Sequence, residues 1–459
     1  MHDPTFSRNP ASFRDNSGFV FTYNNVLYRQ INQTFKNHFE HFISSGFYEH
    51  LINYNQLIPH EIINTNLTKA EDYYLTLKPE LLPFISYPYE WSFDMLKDAA
   101  LLTIQLASEA IDFGMTLKDA TPFNIQFHKS RMTLIDSLSF EIYNENKPWI
   151  AYRQFCESFL IPLALMHYQK IPLHPLLLAF PEGIPLQSGA ALLSWRSKWN
   201  LNTYLHIHLH AAVSNKKRRS SVASNFSPRK LKNILKSLEQ LIQSFSLISA
   251  PGIWGNYYQE VEQQENYIDH KKIIIDGWIS KLHKVKKAVD IGANKGVFSE
   301  LLASKNIYTI AADFDHFSIN EIYKQVKNIN FNLHPLLVDF SNPSPAIGVN
   351  NQERLSFVDR ANADVVLALA VVHHLGIGKN IPFEMQIQLI KKLGKYLIIE
   401  FVSKEDEKVQ LMLQDKKDIY DWYSGDQFLE QFSSHYKILD SKEIINSKRI
   451  LYLMELNEN

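Results

Sequence analysis

The stretch AVDIGANKGVFSELLAS, residues 288–304, decides the fold of the second half of the chain. An apolar run ends at Asp290, glycines follow at Gly292 and Gly296, and a helical apolar period begins at once. Such a stretch is a strand, a tight turn and a helix. In an open α/β sheet, ligands sit beyond the carboxyl ends of the strands, and glycines there let backbone amides approach a small anionic group at the positive end of the helix. The dinucleotide fingerprint needs glycines at its first, third and sixth positions, which here are Gly292, Asn294 and Val297. A nicotinamide or flavin pyrophosphate is therefore disfavoured. Twenty-one residues after Gly292, a second apolar run closes on Asp313, where a carboxylate can accept bonds from both hydroxyls of a ribose.

Outward from this turn, short β-rich runs alternate with helical stretches: KAVDI, YTIAA, HPLLV, DVVLALA and YLIIEFV, then the pair YKILDS and RILYLMEL. That rhythm predicts a parallel sheet flanked by helices, with an antiparallel last strand. Upstream, GFVFTYNNVLYRQ (18–30) reads as a hairpin around an Asn-Asn turn, and FDMLKDAALLTIQLASEAIDF (93–113) as a long helix. The first half is thus α+β. A length of 459 residues calls for two or three domains. The polar, basic run SNKKRRSSVASNFSPRKLKNILK (214–236) reads as an exposed loop leading into a helix. We divide the chain into domains 1–245 and 246–459.

Residues 289–299 carry the pattern hydrophobic-D-x-G-x-N-x-G-x-F/W-S, and the chain from about 285 to 459 resembles the class I S-adenosylmethionine-dependent methyltransferases. The resemblance implies a Rossmann-like seven-stranded sheet and S-adenosylmethionine as cofactor. It implies that Asp290 steers the methionine amino group through water, that Gly292, Ala293, Asn294 and Gly296 line the cofactor, and that Asp313 holds its ribose. It further implies that Asp339 contacts the adenine and that Phe314 and Phe340 also belong to the cofactor site. The fourth strand, DVVLALAVVHHLGIG (364–378), ends in His373 and His374, where such enzymes present residues to the methyl group, and a histidine suits deprotonation of an acceptor. His374 is placed ahead of His373. Glu400, closing the fifth strand, is a candidate to hold a substrate hydroxyl or amine, or to cap the following loop. The segments VDFSNPSPAIG (338–348) and LALAVVHHL also resemble a group of bacterial two-part methyltransferases that includes nodulation-related proteins.

In MTLKDATPFNIQFHKSRMTLIDSLSFE (115–141), Asp119, Asn124 and Asp136 have the spacing of a kinase catalytic loop, whose residues orient an acceptor hydroxyl and hold magnesium. The departures are a hairpin with Gly18 as its only glycine, Arg29 where the strand lysine belongs, and Leu138 where a glycine follows the metal-binding acid. The expectation is a degenerate kinase-like domain that recognises substrate. A phosphotransferase with a regulatory second half is the alternative, and a non-catalytic scaffold a third reading.

Apolar residues make up 45% of the chain and charged residues 21%, which excludes general disorder. Aromatic pieces such as SYPYEWSF (86–93) read as core. A net charge of -1 offers no global basic field, so a small-molecule acceptor is expected rather than nucleic acid, with RNA kept only for the basic run from Lys216 to Lys236. Cys156 is the single cysteine, which excludes an internal disulfide and a Cys-based metal cage. No metal is expected. The strongest apolar run, FLIPLALM (159–166), is far short of the roughly 20 residues that span a bilayer, so no membrane partner and a cytoplasmic location are expected. Trp254, Tyr257 and Tyr258 are placed as a lid over the second half.

Overall fold

The computed structural model describes residues 6–214, 226–248, 265–414 and 417–457. The lid candidates Trp254, Tyr257 and Tyr258, and the basic cluster from Lys216 to Arg219, lie outside the described residues. Two units emerge, Met1–Ile248 with Ile347–Arg354, and Ser249–Ala346 with Leu355–Asn459. No described helix is long and apolar enough to cross a membrane.

Unit 1 opens with strands β1 (Phe6–Arg8), β2 (Gly18–Tyr23) and β3 (Val26–Asn32), followed by β4 (His60–Ile63) and β5 (Tyr73–Pro79). They form an antiparallel sheet in the order β1-β2-β3-β5-β4. The β2–β3 turn is the Asn24-Asn25 pair, with φ of 49° and 63°, the left-handed pair that matches hairpin twist. Helix α1 (Phe93–Asp112) buries Leu96, Ala100, Ile104 and Ala107 on one side, as its apolar spacing dictates. Strands β6 (Met115–Leu117) and β9 (Phe140–Ile142) pair around the hairpin of β7 (Ile125–His128) and β8 (Arg131–Leu134). The basic run ends in helix α2 (Pro228–Ser244), which buries Leu231, Leu235, Leu238 and Leu241. Trp91 and Phe93 of the 86–93 piece are core residues.

Unit 2 begins with helix α3 (Glu265–Lys281) and then alternates. Its strands are β10 (Lys287–Ile291), β11 (Tyr308–Asp313), β12 (Leu333–Leu337), β13 (Ala363–Ala368), β14 (Gly394–Val402), β15 (Tyr436–Glu443) and β16 (Arg449–Leu456). They form one sheet in the order β12-β11-β10-β13-β14-β16-β15. The first five are parallel, and β16 enters antiparallel between β14 and β15. Strands β10, β11, β13 and β14 read as continuous apolar runs because helices cover both faces. On one face Ile275 and Trp278 of α3 pack with Leu302, Val365, Leu367, Ile398 and Leu453 in a single cluster. Helices α4 (Val297–Ser304) and α5 (His316–Val326) follow β10 and β11. The chain runs from β10 to β11 to β12 on one side and resumes at β13 on the other, so the order reverses between β10 and β13. A crevice opens at such a switch point.

Candidate functional site at the switch point

The turn after β10 is built by two left-handed glycines. Gly292 has φ +72°, and a Cβ there would lie 2.8 Å from Val371, in the loop leaving β13. Gly296 has φ +80° and starts α4 against Ile322, which a Cβ would meet at 3.1 Å. Asn294 between them also takes a positive φ of 50°. These conformations let the chain turn tightly between strand and helix.

The amides of the turn are spent within the protein. Gly292 and Ala293 both donate to the Ala312 carbonyl at 2.9 and 3.1 Å, and Gly296 donates to Ala293 at 2.8 Å. Asn294 donates its backbone N–H to Asp313 Oδ2 at 2.9 Å. The anion cradle expected from the glycines is thus replaced by a turn whose free chemistry is carboxylate. Sequence alone could not show this, because the competing acceptor is a neighbouring strand.

Two buried acids flank the turn. Asp290 is 2% exposed and accepts a 2.6 Å bond from Ser299 Oγ on α4. Desolvation raises its pKa to about 7; Asp313 adds to the rise, and Ser299 and Lys271 oppose it. Asp313, at the end of β11, accepts from Asn294 N and, on its other oxygen, from Asp315 N at 2.8 Å. Its pKa is also raised, chiefly by desolvation, against the amide bonds. Phe314 beside it is 62% exposed, a large aromatic surface next to a buried acid. Phe340 is buried, packs edge-on against Phe357 at 5.7 Å, and lines a small apolar cavity with Ile291, Ala368 and Val371. Asp339 is exposed and accepts from both the N–H and the Oγ of Ser341, at 2.8 and 2.6 Å. It therefore caps a local turn.

The histidines are not strand residues. β13 ends at Ala368, Ala370 takes a φ of +53°, and His373 and His374 stand on the first turn of a short helix. The apolar run VLALAVV hid this break, since its last residues pack as a helical turn. The rings lie 4.2 Å apart. His373 is 1% exposed, and its Nδ1 has no hydrogen-bond partner among the described residues. Desolvation holds its pKa well below the usual value, helped by the positive surroundings of His374, Arg449 and Lys271. His374 is exposed, with its pKa lowered first by desolvation and then by Arg449.

Glu400 neither caps the following loop nor stands free for a substrate. It is fully buried on β14 and accepts from Lys271 Nζ at 2.6 Å and Tyr267 Oη at 2.7 Å, both on α3. Arg449 on β16 adds its charge at 3.5 Å and is itself bound to Asp406 at 2.7 Å. Burial would raise the Glu400 pKa, but Lys271 and Arg449 overcome it and lower it. Lys271, Tyr267 and Arg449 went unnamed in the sequence reading. Their only sequence signal was a lysine and a tyrosine four residues apart on an otherwise apolar helix face.

In unit 1 the kinase-like residues do converge. Asn124 Nδ2 donates to Asp119 Oδ2 at 3.0 Å and to Ser139 Oγ at 3.2 Å, and Gln154 donates to Asp119 Oδ1 at 2.6 Å. Asp119 has a raised pKa, mainly from burial and next from the charge of Asp136. Asp136, however, is clamped by Arg29 at 2.7 Å and accepts from Leu138 N at 2.8 Å. A guanidinium thus stands at the acid that the resemblance assigned to magnesium. Leu138 is fully buried and packs on Gly18, which explains why no glycine is needed there.

No family model matches the chain. Among solved structures, the chain resembles magnesium protoporphyrin IX methyltransferase from Synechocystis PCC 6803 (14% identity, TM-score 0.31, 42% of this chain and 87% of that one). It also resembles an S-adenosylmethionine-dependent methyltransferase from Clostridium acetobutylicum ATCC 824 (15% identity, TM-score 0.32, 44% and 99%). A third likeness is to the bifunctional kinase-methyltransferase WbdD (18% identity, TM-score 0.27, 42% and 39%). The match in sequence is of another order: the chain is 31% identical over 474 aligned positions, spanning 99% of its own length and 97% of the relative's. It belongs to the family of the nodulation protein NoeA of Rhizobium meliloti (strain 1021).

Proposed function

We propose that unit 2 is an S-adenosylmethionine-dependent methyltransferase acting on a small or intermediate metabolite, with unit 1 recognising the acceptor. The observation that carries this reading is the pair of buried acids, Asp290 and Asp313, on adjacent strand ends around the glycine turn. Their chemistry fits the cofactor: Asp313 keeps acceptor capacity beyond its amide bonds for a ribose diol, and Asp290 is a suppressed anion that a nearby cation would ionise. Phe314 offers an exposed aromatic face for a base, and Phe340 an apolar floor.

When bound, the cofactor supplies an electrophilic methyl carbon on a sulfonium. Alignment and exclusion of water then supply most of the acceleration. His373, neutral at pH 7 and with an unpartnered buried Nδ1, can accept the acceptor's proton or hydrogen bond, whereas His374 faces solvent. Glu400 holds in place Lys271 and Arg449, two cations whose charges lower the His373 pKa. That field disfavours a charged imidazolium before the acceptor arrives.

The Arg29–Asp136 ion pair disfavours the phosphotransferase alternative, because the acid is already neutralised by a side chain. Calorimetry of the full chain with S-adenosylmethionine and, separately, with magnesium ATP tests the proposal. Binding of the first is expected; binding of the nucleotide alone would overturn it.

A further inference from the structure

Residues 201–214 form a continuous helical stretch, Leu201–Thr203, Tyr204–Leu209 and His210–Ser214, that buries Ile207 and Ala211 yet also carries an apolar outer side. Its inner side is fixed by polar bonds: His206 binds Tyr152 Oη at 2.7 Å and Ser237 Oγ at 3.0 Å, and Thr203 binds Tyr168 Oη at 3.1 Å. Its outer side carries Leu201, Leu205, Leu209 and Val213, one helical turn apart and all exposed, with Leu201 68% accessible. Just upstream, Trp195 and Trp199 meet edge-on at 4.6 Å while remaining 61% and 74% exposed. Six large apolar side chains on one short stretch exceed the scattered exposure usual on a soluble surface.

The sequence along this stretch is one-sided in charge. From 183 to 238 the sequence has no Asp or Glu, while Arg196 and Lys198 sit between the tryptophans and eight further Lys or Arg follow in 214–236. Tryptophan and leucine facing outward beside Arg196 and Lys198, in a sequence stretch without acids, is the composition of a segment lying at the interface of an anionic bilayer. A second copy of the chain would bring the same cations against themselves, and single-stranded nucleic acid has no use for a row of leucines, which cannot stack on bases. We propose that this face seats unit 1 on a membrane surface rich in anionic phospholipid, without spanning it. This replaces the expectation of no membrane partner and is independent of the methyl-transfer reading.

The test is co-sedimentation of the full chain with vesicles of phosphatidylcholine alone or mixed equally with phosphatidylglycerol. The natural chain is expected to pellet with the mixed vesicles only. Leu201→Ser/Leu205→Ser and Trp199→Ser are expected to weaken partitioning about tenfold or more, with unchanged melting because the side chains are exposed. Arg196→Ser/Lys198→Ser should weaken it about fivefold per charge. The proposal is overturned if the natural chain stays in the supernatant, or if the apolar variants bind as it does. It is equally overturned if the same substitutions abolish self-association or RNA binding while vesicles are ignored.

Discussion

Replacing Asp290 by Asn should change how stability depends on pH. Asp290 is buried, and its carboxyl titrates at about 7 against an unfolded value near 4, because desolvation outweighs the Ser299 hydrogen bond and the Lys271 charge. An acid with a raised folded pKa keeps its proton in the native chain where the unfolded chain has lost it. Its burial is therefore tolerated below pH 4 and costs progressively more up to pH 7. The slope is about 1.4 kcal/mol per pH unit, a total of about 4 kcal/mol across that window. Asparagine keeps an oxygen for Ser299 Oγ to donate to and cannot ionise. Asp290→Asn should thus gain about 4 kcal/mol over the natural chain as pH rises from about 4 to about 7, and no more above it. Urea unfolding of both proteins, followed by the circular dichroism of the helices across this range, reads the difference directly. A difference that stays flat would mean that Asp290 is ionised throughout, and the argument from desolvation would fail.

Other outcomes follow from the same contacts. Lys271→Met strands a buried carboxylate and should cost about 3 kcal/mol or more in thermal unfolding, whereas adding Glu400→Gln should restore most of it; equal loss in both variants would refute the ion-pair reading. Asp313→Ala should weaken S-adenosylmethionine binding about tenfold or more by calorimetry, while Asp339→Ala, whose carboxylate caps an exposed turn, should leave it within about twofold. Arg29→Met uncovers Asp136 and should lower the melting of unit 1 by about 1–3 kcal/mol equivalent; an unchanged melting curve would show that the clamp contributes nothing.

Periodicity made the strands of unit 2, the hairpin at Asn24-Asn25 and helix α1 legible, because alternation and helical spacing are local properties of a chain. Asp290, Asp313 and the glycine turn were legible for the same reason: they stand at the ends of apolar runs. What escaped was set by distance in sequence. Glu400 meets residues 129 and 133 positions away, so its partners could not be inferred from its own strand. The histidines were misplaced on a strand because alanine and valine fill a helical turn as readily as a strand end, and only the positive φ at Ala370 marks the break. The amides of the glycine turn were expected to await a ligand, yet the Ala312 carbonyl, from the paired strand, takes two of them.

The charges of unit 2 around the switch point also fix what a ligand must do to the proton inventory. Lys271 balances Glu400 and Arg449 balances Asp406, so neither pair gives the crevice a net charge. Asp290 sits near its midpoint at neutral pH. A ligand bringing a sulfonium and an ammonium close to it would favour the carboxylate and expel a proton, whereas a polyphosphate would hold the proton in place or draw one in. Calorimetric titrations at pH 7 in buffers of different ionisation enthalpy measure that sign. Release of up to about half a proton on binding S-adenosylmethionine, lost in Asp290→Asn, is the expected result; proton uptake would place the cation elsewhere and remove Asp290 from the site.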